Sequence, residues 1–274
     1  MMDIESSFEF NDGYTMPIFG LGLYAVGDSE KVENVVKWAY QSNYRLFDTA
    51  QFYGNESELG LALKSLNVSR DDVFLTSKVW TSNYGYQATI KTVRKSVERL
   101  DMEYFDLFLL HWPVEKKRLE SWKALEDLQK EGIIKSIGVS NYMQSHLDEL
   151  LHNSEISPVL NQVECHPWLN QFELLAKCKI HDIVFQAYSP LVKGQRINDP
   201  IIVEIAKGYD KTPAQILIRW GLENETSVIP KSGSRERIQE NSDVFGFELK
   251  KQDIDILNSL NENYHCSWDP TAQR

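Results

Sequence analysis

Asp48, Tyr53, Lys78 and His111 are the side chains of this chain whose types and placement best suit chemistry. Three of them close a short apolar run: Arg45 to Phe47 before Asp48, Val73 to Ser77 before Lys78, and Leu107 to Leu110 before His111. Tyr53 follows Asp48 after a further four residues. A free phenol has a pKa of about 10 and donates a proton poorly near neutrality. A nearby ammonium favours the phenolate and lowers that value. Lys78 is therefore expected to activate Tyr53, Asp48 to hold Lys78 by an ion pair, and His111 to orient a substrate oxygen. Together they suit proton delivery to a carbonyl oxygen while another group delivers hydride. Tyr53 would be the general acid in reduction and the general base in oxidation. Each residue alone has a plainer explanation: Asp48 a turn, Lys78 a solvated side chain, Tyr53 core or surface, His111 a packed ring before Trp112 and Pro113. The chemistry requires that all four converge.

Convergence depends on the elements that carry them. Apolar runs at 18–22, 45–48, 73–78, 106–111, 133–139, 159–163, 183–188 and 227–230 read as eight strands. Helical patterns separate them. Val32, Val35, Val36 and Ala39 share one helix face, as do Ile90, Val93, Val97 and Leu100. Leu147, Leu150 and Leu151 mark another helix, and Thr212-Pro213 reads as a helix cap followed by proline at the first helical position. Such alternation predicts a parallel α/β sheet. Eight strands, with polar groups at many C-terminal ends, favour a closed (β/α)₈ TIM barrel, in which those ends build the active site. Phe8 to Phe10, a turn at Asn11-Asp12-Gly13, and Tyr14 to Met16 predict an N-terminal β-hairpin that closes the barrel bottom. Gly20-Leu21-Gly22 begins like a dinucleotide-binding fingerprint but lacks the third glycine, which argues against an open Rossmann sheet.

The 274 residues match the length of one barrel, roughly 250 residues. No linker-like tract divides them, so residues 1–274 read as one domain. The net charge of −11 disfavours nucleic acid as a partner. No run approaches the ~18 apolar residues of a membrane span. The acidic N-terminus lacks a secretory pattern, and Cys165, Cys178 and Cys266 are too widely spaced for a disulfide framework. A reducing cytoplasm fits these features. His166, beside Cys165, has no third ligand at a plausible spacing, so no metal is expected.

Three segments carry a specific resemblance. Tyr44 to Gly60 (YRLFDTAQFYGNESELG), Val159 to Pro167 (VLNQVECHP) and Ile229 to Asn241 (IPKSGSRERIQEN) resemble, in order, the three signatures of the aldo-keto reductase family. The resemblance spans about residues 8 to 262. It implies a (β/α)₈ barrel that reduces carbonyls with NADPH, with Asp48, Tyr53, Lys78 and His111 as its tetrad. It also implies cofactor contacts residue by residue. Ser140, Asn141 and Gln162 would hold the nicotinamide carboxamide, and Tyr188 would stack on its ring. Ser189 and Leu191 would line the pyrophosphate path, with Gly22, Leu23 and Asp48 also on the cofactor side. Lys231, Ser232 and Arg237 would grip the 2′-phosphate, where an ammonium, a hydroxyl and a guanidinium fork suit a phosphate, with Gly233 and Ser234 also among the cofactor-binding residues. Glu240 and Asn241 would contact the adenine. Taken alone, the basic stretch reads as a solvated loop with Ser234 as a helix cap, and Tyr188 as core packing.

Tyr24, Trp80, His111 and Trp112 are expected to wall the substrate pocket. Tyrosine at position 24 departs from the tryptophan common in the family and adds a hydroxyl. Short segments at 114–118 and 192–199, and a tail ending at Arg274, resemble the microbial and protist branch of diketogluconate reductases, glyoxal reductases and a prostaglandin F synthase. That resemblance implies an open pocket, broad use of small aldehydes and dicarbonyls as the small-molecule partner, and a monomer. His111 argues for carbonyl reduction, because members that reduce a steroid carbon–carbon double bond have glutamate there. A cofactor-binding regulatory protein of the same superfamily is the alternative. A Schiff-base lyase using Lys78 is disfavoured, because Asp48 would keep that amine protonated.

Overall fold

The computed structural model describes residues 2–115 and 117–273. Met1, Lys116 and Arg274, which fall within the N-terminal, 114–118 and tail segments considered above, lie outside the described residues.

Strands β1 (Ser7–Glu9) and β2 (Thr15–Pro17) pair antiparallel as the expected hairpin. Gly13 takes φ +88° in its loop, where a side chain would be strained. The eight following strands are β3 (Gly20–Gly22), β4 (Leu46–Asp48), β5 (Phe74–Val79), β6 (Phe105–Leu110), β7 (Ile134–Ser140), β8 (Leu160–Glu164), β9 (Val184–Tyr188) and β10 (Ser227–Ile229). They are parallel and ordered β3 to β10 in sequence. A parallel bridge between Phe19 and Val228 joins the last strand to the first. Val228 N–H donates to Ile18 O at 2.9 Å, and Gly22 N–H to Pro230 O at 3.1 Å, across the same seam. The sheet is thus a TIM barrel. All eight expected strands are present, the first shortened to its last three residues.

Among the described residues, ten helices surround it: α1 (Ser29–Gln41), α2 (Glu56–Ser65), α3 (Tyr86–Leu100), α4 (Arg118–Lys130), α5 (Gln144–Asn153), α6 (Phe172–Ile180), α7 (Pro200–Gly208), α8 (Pro213–Glu223), α9 (Arg235–Ser242) and α10 (Lys251–Asn258). The predicted stripe of α1, Val32, Val35, Val36 and Ala39, is buried. Thr212 caps α8 in a reciprocal box with Gln215, ahead of Pro213, as its sequence predicts. None of the described helices is long and apolar enough to cross a membrane.

The period-two alternation of strands layers the barrel interior. Leu46, Phe74, Leu107, Leu109, Val159, Leu160 and Ile229 form an apolar plug with Phe10 and Met16 from the hairpin, which closes this end. Two or four residues further along the same faces come Asp48, Lys78, His111 and Gln162. The apolar layer therefore fixes the floor on which the polar groups stand. Outside, close helix packing requires Gly60: a Cβ there would lie 1.8 Å from the Leu100 carbonyl oxygen. Gly60→Ala is expected to cost about 1–3 kcal/mol through this overlap. Urea denaturation checks it against Gly246→Ala, whose added Cβ meets nothing within 4 Å. Equal midpoints for the two variants would contradict the packing argument.

Candidate active site

The C-terminal ends of the strands open into a cleft of about 700 Å³. Asp48 ends β4, Lys78 is the penultimate residue of β5, and His111 immediately follows β6. Tyr53 ends a short 3₁₀ turn, Gln51–Tyr53, whose chain reverses at Gly54 with φ +69°. The four side chains meet. Lys78 Nζ donates to Asp48 Oδ1 at 2.5 Å, to the Thr49 carbonyl at 2.9 Å, and to Tyr53 Oη at 3.4 Å. The Tyr53 and His111 rings stand edge to face with centroids 5.7 Å apart.

Electrostatics correct one expectation. Tyr53 is not activated by a lowered pKa. Burial, and then the Asp48 charge, push its phenol well above the usual range. Asp48 sits closer to Lys78 than Tyr53 does and neutralises the ammonium that was expected to dominate. Burial pushes Asp48 up and Lys78 down, and their mutual contact opposes both shifts. Thr49 O and the Gln162 amide, which donates to Asp48 Oδ2 at 2.7 Å, solvate the pair in place of water. His111 is held well below its ordinary value, first by burial and then by Lys78, and its Nδ1 is buried without a hydrogen-bond partner among the described residues. It is a neutral imidazole at pH 7.

The remaining expected residues divide by place. Gly22, Tyr24, Trp112, Ser140, Asn141, Gln162 and Tyr188 line the cleft beside Asp48, Tyr53 and His111. Ser189, Leu191, Lys231, Ser232, Gly233, Arg237, Glu240 and Asn241 line its extension towards α9. Leu23, Lys78, Trp80 and Ser234 are not on the cleft surface. Leu23 is fully buried, and Lys78 lies beneath Tyr53. Trp80 backs His111 with centroids 5.1 Å apart. Ser234 caps α9, as its plainer reading holds.

A polar web supports the floor. Asn141 Nδ2 donates to the His111 carbonyl and to Ser140 Oγ, both at 3.0 Å, and Tyr188 Oη donates to Asn141 Oδ1 at 2.8 Å. These bonds hold Asn141 at φ +66°. Gln162 spends its amide donors on Asp48 and Gln186, at 2.7 and 2.8 Å.

Two features escaped sequence reasoning. Phe52 and Trp268 join the cleft wall. Phe52 stacks on Trp80 at 4.3 Å, and Trp268 lies 6.0 Å from Trp80 and 6.1 Å from Trp112. Trp268 is remote in sequence, and only its bulk near the terminus marked it. Second, His166 does have neighbours able to ligate. Atoms of Glu164, His166 and Cys266 lie within 4.8 Å of one another, a hundred residues of chain having intervened before Cys266. The group acts as a tail anchor. Glu164 Oε1 accepts from Cys266 N at 2.7 Å and from His166 Nε2 at 3.1 Å, and Oε2 accepts from Ser267 N at 3.1 Å. Burial would push this carboxyl up, but the His166 and Cys266 bonds outweigh it and hold it low. The next residue is Trp268, so the anchor sets its place on the rim.

Residues 18–262 match the Aldo/keto reductase family, and the chain belongs to that family. It is an oxidoreductase by that membership. A glyoxal reductase of Bacillus subtilis is 42% identical over 267 residues, 97% of each chain. A 9,11-endoperoxide prostaglandin H2 reductase of Trypanosoma cruzi is 41% identical over 258 residues, covering 93% of this chain and 91% of its own. The crystal structure of a Bombyx mori aldo-keto reductase in complex with NADP superposes with a TM-score of 0.90 at 32% identity, over 97% of this chain and 96% of the other.

Because the folded state keeps His111 neutral, its folded pKa lies below the unfolded value. Its contribution is then fully present above about pH 6.5 and is lost as pH falls towards the folded pKa. The His111 imidazole is expected to show neutral-tautomer ¹⁵N shifts at pH 6. A protonated signal at that pH would contradict the assigned desolvation.

Proposed function

We propose that the chain reduces aldehydes and ketones to alcohols with NADPH, with Tyr53 as the proton donor. The observation that carries this reading is the contact of the Tyr53 hydroxyl with Lys78, beside a neutral His111, at the floor of an open cleft. A phenol held above its ordinary pKa stays protonated at physiological pH. Its proton is therefore available to the alkoxide-like oxygen that develops in reduction. Lys78, 3.4 Å away, stabilises the phenolate left behind. Neutral His111 supplies a hydrogen bond to the substrate oxygen without competing as an acid. Asp48 and Gln162 keep Lys78 in place.

The cleft suits the cofactor. Lys231 and Arg237 line its far end, and neither makes an ion pair among the described residues, in a chain of net charge −11. Unpaired cations at one end of a cleft suit a phosphate. At Gly22 an added Cβ would lie 3.1 Å from Ile229 O, so the wall there stays bare. When bound, the reduced nicotinamide supplies the hydride. Ser140, Asn141 and Gln162 would hold its carboxamide, with Gln162 Oε1 still free to accept, and Tyr188 would offer its ring face. Ser189 and Leu191 would flank the pyrophosphate. Lys231, Ser232 and Arg237 would grip the 2′-phosphate, and Glu240 and Asn241 would contact the adenine, although Glu240 already accepts from Thr212 Oγ1 at 2.7 Å. The open rim of Tyr24, Phe52, Trp112 and Trp268 favours small aldehydes and dicarbonyls. The relatives named for glyoxal and prostaglandin endoperoxide reduction support such breadth.

Tyr53→Phe removes the proton and little volume. Its turnover of methylglyoxal and 4-nitrobenzaldehyde, followed by NADPH absorbance, is expected to fall by about 10²-fold or more. NADPH binding, followed by fluorescence, should remain. Retained turnover in the variant would reject Tyr53 as the donor.

A further inference from the structure

Lys31 lies on α1, two hundred residues before the basic loop and outside every segment that resembles the family signatures. Its side chain crosses two glycines. A Cβ on Gly27 would meet Lys31 Cδ at 2.8 Å, and a Cβ on Gly233 would meet its Cε at 3.0 Å and its Nζ at 3.4 Å. The two missing side chains therefore leave a track along which the lysine stem lies, and its ammonium ends against the backbone of Gly233. Gly233 sits between Ser232 and Ser234 in the loop that also carries Lys231, and Arg237 follows on α9. Of the acids near it in sequence, Glu30 and Glu33 make no ion pair with it among the described residues, Glu33 pairing with Lys37 instead, and Asp28 caps α1, accepting from the Lys31 backbone N–H at 3.0 Å. Among the described residues, the Lys31 ammonium makes no ion pair, although other cations of this acidic chain commonly do, as Lys37 does with Glu33 at 3.5 Å. Lys231 registers the crowding: burial, and then the Lys31 charge, lower its pKa. Mutually repelling cations without carboxylate partners are arranged for an anion that neutralises them together.

We propose that Lys31 is a third cation of the phosphate-binding end of the cleft, acting with Lys231 and Arg237 on the 2′-phosphate of the cofactor. This rests on the reading of that loop as a 2′-phosphate site. Lys31 adds the specificity that the loop alone would supply less strongly. Its charge favours a ligand bearing the additional phosphate and gives little to one without it. Because Lys31 is exposed, its contribution should be salt-sensitive.

The test is calorimetric titration of the wild type, Lys31→Ala, Lys31→Arg and Lys37→Ala with 2′,5′-ADP and with 5′-AMP at low and high salt. Lys37→Ala removes the same charge elsewhere on α1. The wild type should bind 2′,5′-ADP more tightly than 5′-AMP. Lys31→Ala should weaken 2′,5′-ADP by about fivefold at low salt, with a smaller loss at high salt, and leave 5′-AMP within about twofold. Lys31→Arg and Lys37→Ala should stay near wild type. If the wild type discriminates and Lys31→Ala matches it, or if Lys37→Ala loses as much, the assignment of Lys31 is wrong while the loop's role stands. If the wild type does not discriminate between the two ligands, the 2′-phosphate site itself is wrong, and the role of Lys31 falls with it.

Discussion

The buried contact between Lys78 and Asp48 is the constraint to which the rest of the site answers. Removing two charges from water costs several kcal/mol per ion, and mutual attraction alone need not offset it. The barrel offsets it with further polar groups: the Thr49 carbonyl on Lys78 and the Gln162 amide on Asp48. Gln162 is steadied in turn by Gln186, which reaches Ser227 at 3.0 Å. A chain of amides thus crosses the barrel from β8 to β10 in order to hold one ion pair beneath one phenol. Removing either charged partner would leave the other buried alone, at a cost of about 3–5 kcal/mol. The apolar plug of Leu46, Phe74, Leu107 and Leu109 lies directly below and excludes water from that side.

From this centre the cleft runs to two chemically different ends. Towards the tail, aromatic rings form a rim that is apolar, open and partly exposed, and Trp268 is set there by the bonds of Glu164 to the Cys266 and Ser267 amides. Towards α9, the lining turns cationic. The division follows from the fold, since the aromatics come from the segments after β3 to β6 and from the tail, while Lys231 and Arg237 come from the segment after β10. An extended ligand with an anionic end and a neutral reactive end would be oriented by this gradient alone.

Much of this was legible in the sequence, for identifiable reasons. The eight strands show because parallel barrel strands are buried on both sides and read as apolar runs. Asp48, Lys78 and His111 show because charged or polar groups at the ends of such runs are conspicuous. Other features depend on tertiary distances that no spacing encodes. Lys31 meets Gly233, and Cys266 meets Glu164, only because the barrel closes. Even for residues that the fold brings together as expected, the direction of the Tyr53 shift was not legible. The sequence suggests an ammonium near a phenol, but only the folded arrangement shows that Asp48 holds the ammonium more closely and that burial dominates. Ser234, grouped with the basic loop by its neighbours, is seen here capping α9.

The central claim is that the buried Lys78–Asp48 pair enables proton delivery by Tyr53. The most direct measurement is a stopped-flow single turnover of NADPH and methylglyoxal by Lys78→Met, which keeps the stem and removes the charge. The account predicts that the absorbance decay slows by about 10²-fold or more, with NADPH affinity within a few-fold of wild type. A decay rate equal to that of the wild type, with Tyr53 intact, would contradict it.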